Sequence, residues 1–309
     1  MRVRRSWAAG KLLALVLTAC RANPSSTGLG VGALQDDAIT VASYDFPESV
    51  VLAEIYAQAL GSNGYRVIRQ FDIGPRELVD PALERGLVEL VPEYAGSALT
   101  FLGATAADAS DPVAVHRTLA RAFEARGIAA LDAAPAEDQN GFAVTSQTAS
   151  TYDLVRLSDL APIAGELTLG GPPECPQRPL CAGGLASTYG LRFERFQPLD
   201  ASGPLTTDAL KAGSVNVALM FTTDGDINTE GFVLLQDDRH LQPAENVTPV
   251  VNAEVVQRFG DHVVGVIDAV SRELTTADLR SLNAAVAGGQ TPQQAAATWL
   301  DAHGLGRPE

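Results

Sequence analysis

Apolar and polar positions alternate in two different ways near the start of the predicted folded region. Residues 39–42 (ITVA) form a short β-rich run, and from Ser49 onward apolar residues recur every three or four positions, as on one face of a helix. Gly61 and Gly64 end this helical pattern, and residues 65–68 (YRVI) begin a second strand. A strand, a helix and a strand within about 30 residues predict a βαβ unit, so we expect a largely parallel sheet.

The first 20 residues have the layout of a bacterial lipoprotein signal. Basic residues precede and flank an apolar run at residues 12–17, which is too short to span a bilayer as a helix. Residues 17–20 (LTAC) match a lipobox, which predicts cleavage before Cys20 and lipidation of its thiol. A plain secretory signal with a chance cysteine is the alternative. We therefore predict a signal peptide at residues 1–19 and, at residues 20–38, the lipidated cysteine and a flexible tether.

Length, charge and cysteines narrow the class of protein. The chain has 309 residues, and after the signal no stretch approaches the roughly 18 apolar residues of a membrane span. Residues 1–19 hold four of the 22 basic residues and none of the 37 acidic ones, so the remainder has a net charge of −19. Such a surface repels phosphates, which disfavours nucleic-acid binding. With Cys20 lipidated outside the cytoplasmic membrane, we expect Cys175 and Cys181 to form a disulfide.

Two segments that lie 127 residues apart share one pattern. Residues 82–94 and 209–221 each contain a helix end, a glycine at a left-handed cap, an alternating strand and an aromatic residue just past the strand. Ligands collect at the carboxyl ends of strands in open parallel sheets. The repeat therefore predicts two lobes that present Tyr94 and Phe221 to a shared cleft. The alternative is that helix–strand junctions of α/β proteins look alike without any relation between them.

The segment around the two predicted disulfide cysteines has an unusual composition. Residues 170–181 contain four prolines and both cysteines. A disulfide that closes so short a loop fixes local backbone shape more than it stabilises the whole fold. It would hold Arg178 in a defined direction, and Arg is suited to bidentate recognition of a carboxylate. A solvated Arg on a stapled surface loop is the alternative.

Helix signals close the chain. Thr275 with Asp278 and Thr291 with Gln294 have the spacing of capping boxes, so each pair predicts a helix start. In the second of these helices we expect Trp299 to pack in the core.

Catalytic motifs are missing from the sequence. Its two lysines, Lys11 and Lys211, leave no phosphate-binding loop, and its four histidines lack the spacing of metal ligands. It also lacks a Gly-x-Ser-x-Gly nucleophile elbow. We therefore expect a protein that is not an enzyme and that uses neither a cofactor nor a metal.

Several segments together resemble the osmoprotectant-binding proteins, the substrate-binding components of glycine betaine, choline and carnitine importers. The matching segments are residues 43–48 (SYDFPE), 54–60 (EIYAQAL), 79–83 (VDPAL), 92–97 (PEYAGS), 221–225 (FTTDG) and 299–305 (WLDAHGL). The resemblance covers nearly all of residues 39–305. It implies an α/β fold of the type II periplasmic-binding kind, in which two lobes close on a ligand cleft and each lobe is a mostly parallel sheet flanked by helices. Lobe 1 would hold residues 39–143 plus 246–309, and lobe 2 residues 144–245.

The resemblance also implies the ligand site. In that family an aromatic cage surrounds a trimethylammonium group, while Arg and hydroxyl donors hold a carboxylate. A cage has a physical basis, because a cation without N–H donors is attracted only through ring faces and dispersion. Carried over position by position, the ligand-binding residues are Tyr44, Tyr94, Ser97, Phe142, Glu174, Arg178, Phe221 and Thr222.

Tyr44 departs from the family, since many relatives have at this position a Lys that contacts the ligand carboxylate. Either Tyr44 completes a reshaped cage or the ligand is not betaine. The partners implied are a small quaternary amine, the permease subunits of an ABC importer and, through the lipid anchor, the cell membrane. A protein of the same fold that binds another small organic solute, such as an amino acid or an aromatic compound, is the alternative. A structural or adhesive lipoprotein would not need two lobes with matching cleft aromatics.

Overall fold

The computed structural model describes residues 37–306, in which the strands form two five-stranded sheets. The first sheet has the order β2-β1-β3-β10-β4. Its strands are β1 (Ala38–Ala42), β2 (Arg66–Gln70), β3 (Leu90–Tyr94), β4 (Ile128–Ala130) and β10 (Val247–Asn252). The predicted βαβ unit is confirmed, because β1 and β2 are parallel and are joined by a helix.

The second sheet uses the part of the chain that lies between β4 and β10. Its order is β7-β6-β8-β5-β9. Its strands are β5 (Asn140–Thr145), β6 (Thr168–Gly171), β7 (Arg195–Pro198), β8 (Val217–Phe221) and β9 (Phe232–Leu234). The chain therefore passes from the first sheet to the second and back.

Both sheets are mixed rather than mostly parallel. In the first sheet β10 runs antiparallel to β3 and β4, and in the second sheet β5 runs antiparallel to β8 and β9. Strand β5 is the first strand of the second sheet after the chain leaves the first sheet, and β10 is the strand with which the chain returns to the first sheet. Such a strand is not preceded by a crossover helix of its own sheet, so the βαβ rule does not set its direction.

Helices flank both sheets, which confirms the predicted α/β class. The helices are α1 (Pro47–Ser62), α2 (Arg76–Glu84), α3 (Ala95–Phe101), α4 (Pro112–Glu124), α5 (Ser146–Tyr152), α6 (Ala182–Gly184), α7 (Pro204–Lys211), α8 (Asp226–Thr229), α9 (Ala253–Phe259), α10 (Asp261–Glu273), α11 (Thr276–Ala287) and α12 (Pro292–Ala302). Short helical turns lie at Leu157–Leu160, Ala164–Glu166, Cys175–Gln177 and Leu185–Tyr189.

Helix α1 is buried along most of its length. It begins at Pro47, whose fixed φ and missing N–H suit a first helical position. Most residues from Val51 to Leu60 are buried, because the first sheet covers one side of α1 and helices α10, α11 and α12 cover the other. The start of α1, which includes Glu48, is thereby fixed at the carboxyl end of β1.

The two predicted capping boxes are present at the starts of α11 and α12. Thr275 and Asp278 cap α11 reciprocally, and Thr291 and Gln294 do the same for α12. Trp299 is buried in the core of the first sheet, as predicted.

The repeat at residues 82–94 and 209–221 is confirmed in the fold. Helices α2 and α7 are followed by Gly86 and Gly213, which have φ angles of 67° and 72°. These left-handed conformations favour glycine, and each allows the chain to turn at once into a strand. The strands that follow, β3 and β8, hold the central position of their sheets and end at Tyr94 and Phe221.

In residues 37–306 every helix is too short or too polar to cross a membrane. The predicted signal peptide, the lipidated Cys20 and the tether as far as residue 36 lie outside the described residues.

Candidate ligand-binding site

Three adjoining cavities, which we call the cleft, lie between the two sheets and share Phe46 and Phe221. The first cavity has a volume of about 100 Å³ and the second about 50 Å³, and both also border Arg76, Asn140 and Arg178. The third, of about 260 Å³, lies on the side of α11. The cleft is thus at the carboxyl ends of β1, β3 and β8, where open α/β sheets collect ligands.

Most of the predicted site residues line the cleft. Tyr94 and Ser97 border the first cavity, Tyr44 and Glu174 border the second, and Arg178 borders both. Phe221 borders all three cavities. The structure therefore brings together side chains that are up to 177 positions apart in the sequence.

Two predicted residues are not among those that line these cavities. Phe142 is 1% exposed and packs in the hydrophobic core of the second sheet. It lies opposite Leu219 in the middle of the β5–β8 ladder, whereas Asn140, at the start of β5, reaches the cleft. The Thr222 hydroxyl donates to Asp138 Oδ1 at 3.0 Å and accepts from the Gln139 amide at 3.0 Å. In the structure Thr222 thus joins the end of β8 to the segment before β5.

Phe46 is an aromatic residue of the cleft that the sequence did not single out. Its ring centroid lies 5.0 Å from that of Phe221, 5.8 Å from that of Tyr94 and 6.1 Å from that of Tyr44. The rings of Phe46, Tyr94 and Phe221 meet at angles of 40° and 51°, so they form a corner rather than a stack. The available signal was its position between β1 and α1, directly before Pro47, on the side of the sheet where β1 ends.

Glu48 connects three parts of the chain at the floor of the cleft. Its Oε1 accepts from the Tyr94 hydroxyl at 2.7 Å, and its Oε2 accepts from the Thr223 hydroxyl at 2.6 Å and from the Asn283 amide at 2.6 Å. Burial raises the pKa of Glu48, while these donors oppose the rise. Glu48 therefore fixes the tyrosine ring against α11 and the end of β8.

A second buried network lies behind Tyr44. Arg76 forms a bidentate ion pair with Glu93, through Nε at 2.7 Å and Nη2 at 2.8 Å. The Tyr44 hydroxyl donates to Glu93 Oε1 and lies 3.0 Å from Asp80 Oδ1. The Arg76 guanidinium also lies 5.1 Å from the centre of the Tyr44 ring. Arg76 is thus held at the cleft wall by the Glu93 carboxylate and the Tyr44 ring, and the sequence carried no motif that would have identified it.

Acidic side chains dominate the cleft. Seven acidic residues and two arginines line the three cavities. Burial, and after it the charge of Glu48, raise the pKa of Asp138, and burial raises the pKa of Glu245 to about 7. Glu245 accepts from the Ser97 hydroxyl at 2.5 Å and from the Ser97 amide at 2.9 Å. This excess of carboxyl groups over arginines suits a ligand that carries a positive group, which would favour the ionised forms of the carboxyl groups.

The cysteine-bounded loop brings a charged pair to the rim of the cleft. Cys175 and Cys181 form a disulfide, and between them Arg178 extends toward α2. Its Nη2 lies 2.8 Å from Glu77 of α2 and 3.3 Å from Glu174. The Arg178–Glu77 pair therefore joins the part of the chain that carries the second sheet to the part that carries the first.

Two α/β lobes with an aromatic, charged cleft between them define a solute-binding protein. In agreement, residues 37–302 match the family model for the substrate-binding domain of ABC-type glycine betaine transport systems. The chain belongs to this family, and it is the substrate-binding protein of an ABC transport system. The family resemblance seen in the sequence is confirmed.

Individual relatives agree with the family assignment. The chain is 30% identical over 284 residues to a glycine-betaine-binding protein of Pseudomonas aeruginosa, with 89% of this chain and 90% of the relative covered. It is 26% identical over 274 residues to the glycine betaine-binding protein YehZ of Escherichia coli, with 83% and 88% covered. A crystal structure of a glycine betaine/carnitine/choline ABC transporter protein superimposes with a TM-score of 0.67 at 23% identity, with 87% of this chain and 99% of that chain covered, which supports the two-lobed fold. These relatives are transport proteins rather than enzymes.

Proposed function

We propose that this protein is an extracytoplasmic lipoprotein of an ABC importer that holds a quaternary-ammonium compatible solute, such as glycine betaine, choline or carnitine, between its lobes. The observation that carries the proposal is the corner formed by Phe46, Tyr94 and Phe221 in an acidic cleft. In this proposal the lobes follow the expected division into residues 39–143 plus 246–309 and residues 144–245, except that residues 140–143 belong to the second lobe, because β5 (Asn140–Thr145) pairs with β8 and β9 of the second sheet. The membrane anchor is the lipid on Cys20.

An aromatic corner suits a trimethylammonium group for a physical reason. The group has no N–H to donate, so only ring faces, dispersion and long-range charge can attract it. The corner supplies ring faces, and Glu48 places a carboxyl group behind Tyr94, 2.7 Å from its hydroxyl. In this proposal Phe46 takes the place in the cage that the sequence analysis gave to Phe142.

The arginines of the cleft suit the other end of a betaine or carnitine. Arg76 and Arg178 both line the first and second cavities, and Ser97 adds a hydroxyl to the wall of the first. Both arginines are already paired with glutamates, so a ligand carboxylate competes with Glu93 or Glu77 for them. Tyr44 stands where many relatives have a Lys. It adds no positive charge to the cleft, but it contributes its ring and contacts Arg76.

Calorimetry on the purified protein without its signal tests the ligand class. We expect glycine betaine, choline or carnitine to bind with a measurable heat and to raise the melting temperature, with Phe221→Ala weakening that binding. Tyr152→Ala, which removes an exposed ring of α5, is the matched control. Heat from an amino acid with none from any quaternary amine would favour the alternative ligand class.

The anchor and the importer need separate experiments. We expect radiolabelled fatty acid to be incorporated into the full chain in a bacterial host, and Cys20→Ser to abolish labelling. Unchanged labelling in that variant would reject the lipidation site. Uptake of the bound solute by cells should depend on the protein and on the permease subunits of its ABC importer.

A further inference from the structure

Hydrogen-bond donors occupy all the lone-pair sites of the Glu93 carboxylate. Its Oε1 accepts from Arg76 Nε at 2.7 Å and from the Tyr44 hydroxyl, and its Oε2 accepts from Arg76 Nη2 at 2.8 Å and from the Tyr94 amide at 2.5 Å. A carboxylate offers about four lone-pair sites, and all four are used. A proton on Glu93 would displace one of these donors, so the geometry holds Glu93 as the carboxylate.

The Tyr44 hydroxyl has one proton but contacts two carboxyl groups. It donates that proton to Glu93, and its oxygen also lies 3.0 Å from Asp80 Oδ1. If Asp80 were ionised, two oxygens without a proton between them would face each other at this distance. The contact becomes a hydrogen bond when Asp80 carries a proton and donates it to the Tyr44 oxygen.

The surroundings of Asp80 also favour its neutral form. The residue is 2% exposed, and within residues 37–306 its Oδ2 is a buried oxygen without a hydrogen-bond partner. A charge in such a place is costly because neither water nor a donor compensates it. Burial, and after it the charge of Glu93, raise the pKa of Asp80 to about 7.

We propose that Asp80 is a proton-sensitive positioning residue of the ligand site, which acts on Arg76 through Tyr44 and Glu93. When Asp80 is protonated, a chain of hydrogen bonds runs from Asp80 to Tyr44 to Glu93, and Arg76 faces the single negative charge of Glu93. When Asp80 loses its proton, a second negative charge appears behind Arg76 and opposes a ligand carboxylate at the cleft wall. Ligands that carry a carboxylate therefore bind more weakly as the pH rises, whereas a cation without a carboxylate does not.

The groups that face Asp80 come from three elements. Tyr44 follows β1, Glu93 lies on β3, and Arg76 and Glu84 lie on α2 with Asp80 itself. A full charge about 10 Å from a ligand, at an effective dielectric constant of about 20, changes affinity by roughly tenfold. The effect is therefore measurable in a titration series.

The test, which rests on the proposed quaternary-amine ligands, compares glycine betaine with choline by calorimetry between about pH 5.5 and 8.5. We expect glycine betaine to lose roughly tenfold in affinity over this range and choline to lose none. Asp80→Asn should flatten the glycine betaine profile, since its amide donates to Tyr44 at every pH. Wild-type Asp80 and Asp80→Asn are compared in a Glu245→Gln background, because Glu245 borders the first cavity and, with a pKa of about 7, would add its own pH dependence. Asp268→Asn on α10 is the control, because burial also raises the pKa of Asp268 and this residue is not among those that line the cleft cavities. An unchanged profile in Asp80→Asn, or a flat one in the wild type, overturns the proposal.

A second measurement needs no ligand and separates this proposal from the proposed function. Carbon-13 NMR of protein labelled at the aspartate carboxyl carbons follows the protonation of Asp80, with Asp80→Asn assigning its signal. We expect the Asp80 signal to titrate near neutral pH, and in Tyr44→Phe to titrate at a different pH because its partner is lost. Titration in the ordinary range of an aspartate would reject the proton on Asp80, whatever the ligand proves to be. If the Asp80 signal titrates near neutral pH but the protein binds no quaternary amine, only the proposed ligand class is rejected.

Discussion

The ring of Phe46 lies 5.0 Å from the ring of Phe221, and this pair joins the start of α1, which follows β1 of the first sheet, to the end of β8 in the second. The two rings meet at 51°, and both border all three cavities of the cleft. Any movement that opens the cleft at this point separates the two rings. Their contact therefore links ligand binding to the relative position of the two sheets.

Phe46→Ala and Phe221→Ala should each weaken the binding of a quaternary amine by about 1–2 kcal/mol, the scale of a desolvated cation–π contact. Because the rings touch, the double variant should lose less than the sum of the single variants. Calorimetry on the three variants, with Tyr152→Ala as the control, measures both effects. Wild-type affinity in Phe46→Ala would remove Phe46 from the cage.

Tyr94 permits the ring and the hydroxyl to be tested separately. Tyr94→Phe keeps the ring but leaves Glu48 Oε1 without its donor at 2.7 Å. We expect this variant to lose about 1–3 kcal/mol of folding stability, the cost of an unsatisfied buried polar group, with little change in affinity. Tyr94→Ala should lose affinity as well. Urea unfolding and calorimetry on both variants give the comparison, and equal affinities in the two would contradict a role for the ring.

Local patterns predicted the repeated unit of the fold well. The helix end, glycine and strand that lead to Tyr94 and Phe221 are set by nearby residues, namely a left-handed Gly86 or Gly213 and an alternating strand. The direction of β5 and β10 was not predictable in this way, because it depends on how the chain returns from one sheet to the other.

From the pattern of strands alone, the site was predictable only where a residue ends a strand, whereas Tyr44, Ser97, Glu174 and Arg178 of the cleft were predicted from the family resemblance. Tyr94 and Phe221 end their strands and reach the cleft, but the sequence could not show that Phe142 lies in the core. The network of Tyr44, Arg76, Asp80 and Glu93 joins residues up to 49 positions apart, and no local pattern encodes which of them meet.

Asp80→Asn should change how folding stability depends on pH. The folded-state pKa of Asp80, about 7, lies above the value near 3.9 of an unfolded aspartate. The stability that its proton contributes is therefore complete below about pH 4 and is lost as the pH rises to 7. Since one pKa unit corresponds to about 1.4 kcal/mol, the free energy of unfolding of the variant should rise relative to wild type by on the order of 2–4 kcal/mol between these limits. Urea unfolding at a series of pH values measures this difference, and a constant difference would contradict a raised pKa.

Gly96 and Gly61 form a matched pair for testing how closely the chain packs beside the cleft. A Cβ on Gly96 would lie 2.3 Å from Pro243 Cγ and 2.7 Å from the Ala244 carbonyl oxygen, whereas a Cβ on Gly61 would have no neighbour within 4 Å. Gly96→Ala must shift α3 away from the segment that leads into β10, and it disturbs the bond from the Gly96 amide to Glu245 at 3.0 Å. We expect it to cost about 1–3 kcal/mol of stability and to weaken ligand binding, because Ser97 moves with it.

Gly61→Ala, near the end of α1, should instead stabilise the protein by about 0.5–1 kcal/mol, since alanine restricts the unfolded chain and favours the helix. Ligand affinity should not change, because Gly61 is exposed and is not among the residues that line the cleft cavities. Thermal unfolding with and without ligand compares the two variants. Equal stabilities for Gly96→Ala and Gly61→Ala would mean that a methyl group fits between α3 and Pro243. Close packing of α3 would then not explain the position of Ser97 in the cleft wall.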